Sequence, residues 1–276
     1  MSEPSSRFVE GLPRLHYLEW NPDGARPIVL LHGTSANAWW WQPVAEAMRS
    51  AGMRMLALDL RGHGDSGWVR PPAYSPADYA DDLARLIETL RLDRPVVIGH
   101  SMGGIAVIAF AERYRELAGG AVAVDVAISS GQRRNRFLRR LKTLPVVRYP
   151  DLATARERFR LMPNEGEIAP AILSAIAEHS VTPGADGRYT MKFDRESFSG
   201  SDGIDVAATI GKIDIPVLLV RAEKSRIMAT EAAVRAVHSN QHVRLVTIPN
   251  AHHHVLIERP ELLADAIRGF ITTLPQ

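Results

Sequence analysis

Short apolar runs alternate with longer segments of helical spacing along this chain. The runs are PIVLLHG (27–33), MRMLALDL (53–60), RPVVIGHS (94–101), AVAVDVAI (121–128), IPVLLVRA (215–222) and VRLVTIP (243–249). Most are apolar at successive positions, as expected of strands buried on both faces of a parallel sheet. The segments between them read as helices. QPVAEAMRSAG ends at Gly52, a C-cap residue, and SPADYADDLARLIETLRL opens with Ser75 as N-cap and Pro76 in the first turn. MGGIAVIAFAERYREL follows the third run, and PELLADAIRGFITTL lies near the C-terminus. The alternation predicts an α/β fold with a doubly wound, mostly parallel sheet.

One segment departs from this rhythm. Residues 132–206 keep a helical pattern without a strong strand, and contain the turn TPGADGRYT. An insertion of this length after a strand is expected to lie across the strand ends, where ligands bind. The predicted organisation is a single catalytic domain with its core in 1–131 and 207–276 and a helical lid over 132–206. The lid contains the basic run RRNRFLRRLK, with Phe137, Leu138 and Leu141 as an apolar stripe. Two readings stay open for its arginines: a solvated helix face, or recognition of an anionic substrate group.

Composition narrows the function classes. The chain has 276 residues, a formal net charge of +2 and no cysteine. So small a charge excess provides no strong field for nucleic acid. The lack of cysteine removes disulfides and thiolate chemistry, and it suits a cytoplasmic protein. The opening MSEPSSRFVEGLPR has no apolar core of a secretory signal. No stretch reaches the roughly 18 unbroken apolar residues of a membrane helix. The expected partner is a small-molecule substrate, with no nucleic acid and no membrane, for a monomer or homodimer.

Candidate chemistry starts in VVIGHSMGG. Gly99-His100-Ser101-Met102-Gly103 follows a strand-like run and precedes a helix-like one, the context of a nucleophile elbow. The turn must be tight enough to project Ser101 from the sheet, and side chains at the flanking glycine positions would clash. The helix behind it favours developing negative charge. His32-Gly33 ends another strand, so the N–H of Thr34 can join that of Met102 in an oxyanion hole. His32 is expected to shape its loop. His100 and one or two of the consecutive Trp39, Trp40 and Trp41 are expected to line the pocket. In ALDLRGHGDSG, Asp59 and Arg61 are expected to pin loops. IPNAHHHVLIERPE supplies the base, because a Ser followed late in the chain by a His is the order this architecture uses. Adjacent histidines point in different directions, so His252, His253 and His254 are not read as a metal site.

Together, GHSMGG around Ser101, HG at 32–33, DLRGHGDS at 59–66 and a His followed by ERPE resemble the α/β-hydrolase superfamily. The resemblance covers nearly the whole chain. It implies that the catalytic histidine stands five residues before Glu258 of the E-x-P motif, which selects His253. It implies no cofactor. A serine nucleophile argues against the alkyl-enzyme chemistry of relatives that carry Asp there. The acid is less direct. Most relatives place it in the loop after IPVLLV, where this chain has Ser225 or Arg226 at the aligned position and Glu223 slightly earlier. Some relatives carry it one strand earlier, which selects Asp125, with Glu223 as runner-up. The implied function is hydrolysis of an ester, lactone or thioester of a small, fairly apolar substrate through an acyl-enzyme. Two alternatives are a cofactor-free C–C bond hydrolase or oxygenase using the His–Asp pair, and a non-catalytic small-ligand receptor.

Overall fold

The computed structural model describes residues 3–128, 132–199 and 203–275. Its strands are β1 (Ser5–Val9), β2 (Leu15–Trp20), β3 (Arg26–Leu31), β4 (Met53–Leu58), β5 (Val96–His100), β6 (Gly120–Val124), β7 (Val181–Pro183), β8 (Tyr189–Met191), β9 (Val217–Ala222) and β10 (Val243–Ile248). Eight of them form one sheet in the order β1-β2-β4-β3-β5-β6-β9-β10. Pairing is parallel from β4 through β10, and antiparallel between β1 and β2 and between β2 and β4. The six apolar runs supply the parallel strands. The N-terminal pair has a weaker signal: β1 is a polar edge strand, exposed at four of its five residues.

The helices are α1 (Gln42–Ala47), α2 (Pro76–Thr89), α3 (Met102–Arg113), α4 (Gln132–Thr143), α5 (Leu152–Arg158), α6 (Pro170–His179), α7 (Val206–Ile210), α8 (Thr230–Ser239), α9 (Val255–Glu258) and α10 (Pro260–Ile271). They cover both faces of the sheet. Alternating side chains explain how. Val29, Leu31 and Val97 face one layer, packed with Leu83 of α2 and Phe110 of α3. Ile28, Leu30 and Ile98 face the other, with Val44 of α1 and Ile267 of α10. Ser75 caps α2 in a reciprocal capping box with Asp78, worth about 1 kcal/mol. Gly52 takes the left-handed conformation (φ 65°) that ends the turn before β4.

The segment between β6 and β9 holds α4, α5, α6 and, beyond the helices read from its periodicity, the two-stranded hairpin β7–β8. The TPGADGRYT turn closes this hairpin. Hydrogen bonds join the segment to the sheet's loops. Gly64 N–H donates to Lys192 O at 2.8 Å and Asp194 N–H to Gly62 O at 2.6 Å. The Asn37 amide donates to His179 O and to Ser180 Oγ, each at 3.1 Å. Among the described residues, no helix is long and apolar enough to cross a membrane.

Candidate active site

Ser101 stands between β5 and α3 at φ 52°, ψ −115°. A non-glycine residue held there costs on the order of 1–3 kcal/mol, which the surrounding structure must impose. The imposition is visible in the glycines. A Cβ on Gly99 would lie 2.2 Å from Gly103 O, and one on Gly103 would lie 2.4 Å from His32 O. Only glycine lets α3 start this close to β5 and β3. Met102 opens α3, so its N–H has no acceptor within the helix. Met102 and Thr34 both line the cavity beside Ser101.

His253 reaches Ser101 from the loop between β10 and α9. Its Nε2 lies 3.2 Å from Ser101 Oγ, and its Nδ1 lies 2.7 Å from Asp125 Oδ2. A carboxylate on Nδ1 keeps the proton there and leaves Nε2 free to accept the serine's. The loop is held by Glu258, which accepts from His252 N–H at 2.7 Å and meets His252 Nδ1 at 2.9 Å. The glutamate that served as a landmark in the E-x-P motif therefore anchors the turn that presents His253.

Asp125 follows β6 in the left-handed region (φ 48°), where Asp is tolerated better than most side chains. It is fully buried. It accepts from Ala222 N–H at 3.2 Å and from the Ser225 hydroxyl. Burial pushes its carboxyl up to about 6, opposed by the bonds from Ser225 and Ala222, which favour the charged form. Ser225 is one of the two positions, with Arg226, at which the family resemblance leads one to expect the acid. Sequence reasoning set it aside because it cannot ionise. Its position beside the vacated carboxylate is the signal that could have found it. Glu223 is elsewhere: its carboxylate is exposed and accepts from Asn250 N–H at 2.7 Å.

The remaining candidates separate. His100 lines the cavity, with Nε2 at 2.8 Å from the His253 carbonyl. Trp40 also lines it, edge-on to His254 at 5.3 Å between ring centres. Trp41 is buried in the core. Trp39 is not among the lining residues; it stacks on His179 of α6 at 3.6 Å, 5° from parallel. The short helical turn Ala38–Trp41 rotates the three rings to different sides, so only one reaches the cavity. His32 spends both ring nitrogens on backbone, with Nδ1 on Gly33 O and Nε2 on Leu60 N–H. Asp59 accepts from Ala38 N–H and Asp65 N–H, and Arg61 grips Asp82 in a two-pronged pair.

The cavity has a volume of about 310 Å³. Its floor is Ser101, His253 and the Gly33–Thr34 turn. The intervening segment contributes Phe137 and Leu138 of α4, together with Met162, Pro163 and Ser197. Ile105, Ala36 and Tyr79 complete a largely apolar wall. Such a site is suited to accept a small apolar group and to polarise a carbonyl placed above Ser101.

Relatives carry the same architecture. The chain is 26% identical over 268 residues to a 2-(acetamidomethylene)succinate hydrolase of Mesorhizobium japonicum, covering 90% of this chain and 89% of that one. It is 27% identical over 274 residues to an esterase of Mycobacterium tuberculosis, covering 93% and 86%. The crystal structure of an E-2-(acetamidomethylene)succinate hydrolase superposes with a TM-score of 0.85 at 26% identity, covering 98% of this chain and all of that one. The sequence profile of the alpha/beta hydrolase family matches residues 28–266, and the chain belongs to that family.

Proposed function

We propose that the protein is a serine hydrolase that cleaves an ester, lactone or thioester of a small, fairly apolar substrate through an acyl-enzyme. One observation carries this reading: the unbroken hydrogen-bonded series Ser101 Oγ, His253 Nε2, His253 Nδ1 and Asp125 Oδ2, at 3.2 and 2.7 Å, on the floor of an apolar cavity. Ser101 Oγ attacks the carbonyl carbon while His253 Nε2 takes its proton. Asp125 holds the ring through Nδ1–H and stabilises the imidazolium. The N–H groups of Thr34 and Met102 receive the oxyanion. The imidazolium then protonates the leaving oxygen or sulfur. A water, deprotonated by His253, releases the acid and regenerates Ser101. Residues 132–206 act as the lid whose α4 side chains select the substrate.

The test is a series of p-nitrophenyl esters of increasing acyl length. Wild type hydrolyses the short and medium members. Ser101→Ala loses activity by roughly 10³-fold or more, and Asp125→Asn by roughly 10³–10⁴-fold. Glu223→Gln stays near wild type. Turnover retained in Ser101→Ala would transfer the essential role to the His253–Asp125 pair, as in C–C bond hydrolysis or cofactor-free oxygenation. Full activity in Asp125→Asn would remove Asp125 from the mechanism.

A further inference from the structure

Three histidines meet at the cavity floor although the chain separates one from the others by about 150 residues. A ring nitrogen of each of His100, His253 and His254 lies within 4.8 Å of one from each of the other two. All three side chains are at least nine-tenths buried. Their hydrogen bonds define which nitrogen each has left. His100 Nε2 lies 2.8 Å from His253 O, and His254 Nε2 lies 3.0 Å from Pro163 O. A carbonyl oxygen only accepts, so both Nε2 atoms carry the proton and both Nδ1 atoms carry a lone pair. Neither Nδ1 has a hydrogen-bond partner among the described residues. His253 has its Nδ1 on Asp125, which leaves the Nε2 lone pair that faces Ser101.

Buried lone pairs without partners are uncommon, and an ion is one of the groups that accounts for them. The outer contacts match. Metal-bound imidazoles nearly always donate the second ring N–H to a carboxylate or a backbone carbonyl. All three rings do so here, to Asp125, His253 O and Pro163 O. A tetrahedral ion at 2.0–2.1 Å places its nitrogens about 3.3 Å apart, so the rings must draw together to share one. The other comparable group among the described residues is already spent. His16 has Nδ1 on Asp59 and Nε2 on the Ser6 hydroxyl. The divergence expected of consecutive histidines holds for His252, which turns to Glu258, but not for His253 and His254, which both line the cavity. It is His100, from the nucleophile elbow, that completes the set.

We infer that His100, His253 and His254 form a binding site for an imidazole-preferring first-row transition ion, Zn²⁺ or Cu²⁺, and that the ion switches the hydrolase off by occupying the Nε2 lone pair of His253. The inhibitory half rests on the acyl-enzyme reading above; the binding half does not.

The experiment titrates the full-length protein with Zn²⁺ by calorimetry and records the Cu²⁺ EPR spectrum of the wild type. Zn²⁺ binds, Cu²⁺ shows at least two coordinated nitrogens, and His100→Phe and His254→Phe each weaken Zn²⁺ at least roughly tenfold. Zn²⁺ also slows fluorophosphonate labelling of Ser101, and EDTA restores it. Absence of binding, a Cu²⁺ spectrum with fewer than two nitrogens, or unchanged affinity in both variants overturns the site. The wild-type spectrum decides even where a variant fails to fold. Binding with unchanged labelling overturns the switch alone. A wild type that never labels, with or without metal, counts against the acyl-enzyme reading and leaves the binding result standing.

Discussion

At the scale of residues, Asp125 and Ser225 form one unit. Asp125 carries the charge and Ser225 Oγ–H tunes it. Because the carboxyl is pushed up to about 6, lowering the pH through that value protonates it and removes the acceptor on His253 Nδ1. Activity therefore falls on the acid side, with an apparent midpoint that belongs to the Asp125–His253 pair. Ser225→Ala removes a bond that favours the charged form, so the midpoint moves to higher pH by about one unit. Superposed profiles of kcat/KM against pH for the two proteins test this. An unmoved acid limb, or one moved to lower pH, contradicts it.

At the scale of elements, the elbow depends on how closely α3 approaches β5 and β3. The position of Gly103 is set by backbone, not by a flexible neighbour: its Cβ would meet His32 O at 2.4 Å and Leu31 O at 2.6 Å. Gly103→Ala must push α3 away from the sheet, and it destabilises the fold by roughly 3 kcal/mol. Urea denaturation measures it; a loss under about 1 kcal/mol would mean that the helix start shifts freely. Much of this element was legible in the chain. G-x-S-x-G between an apolar run and a helical pattern specifies strand, turn and helix together. The N-terminal strand pair was not legible, because β1 lies at an exposed edge where polar side chains hide the alternation. The β7–β8 hairpin was missed for a related reason, since its strands have three residues each.

At the scale of the whole molecule, the cavity joins two parts of the chain. Its floor comes from the strand ends of the sheet, and part of its wall comes from α4 and the loop at Met162. Phe137 lines the cavity while its side chain remains 51% exposed. So exposed a ring adds little to stability, and its place in the cavity wall leads us to expect a part in substrate contact. Phe137→Ala leaves the melting temperature within a few degrees and raises KM for longer acyl esters several-fold, with kcat little changed. A large drop in melting temperature with unchanged KM would instead make Phe137 a packing residue.

What the sequence determined by itself is local and periodic: buried parallel strands, the elbow at Ser101, the late histidine loop and the insertion that interrupts the rhythm. These follow from neighbours a few residues apart, where backbone geometry and side-chain spacing act directly. Which carboxylate meets His253, that Ser225 supports it, that one tryptophan of three reaches the cavity, and that His100 joins His253 and His254 were decided by the tertiary structure. Each depends on where the ends of β3, β5, β6, β9 and β10 converge. Strand ends that converge at one edge of a parallel sheet bring residues a hundred or more positions apart within hydrogen-bond distance, as between Asp125 and Ser225 or His253. Periodicity along the chain carries no record of that distance.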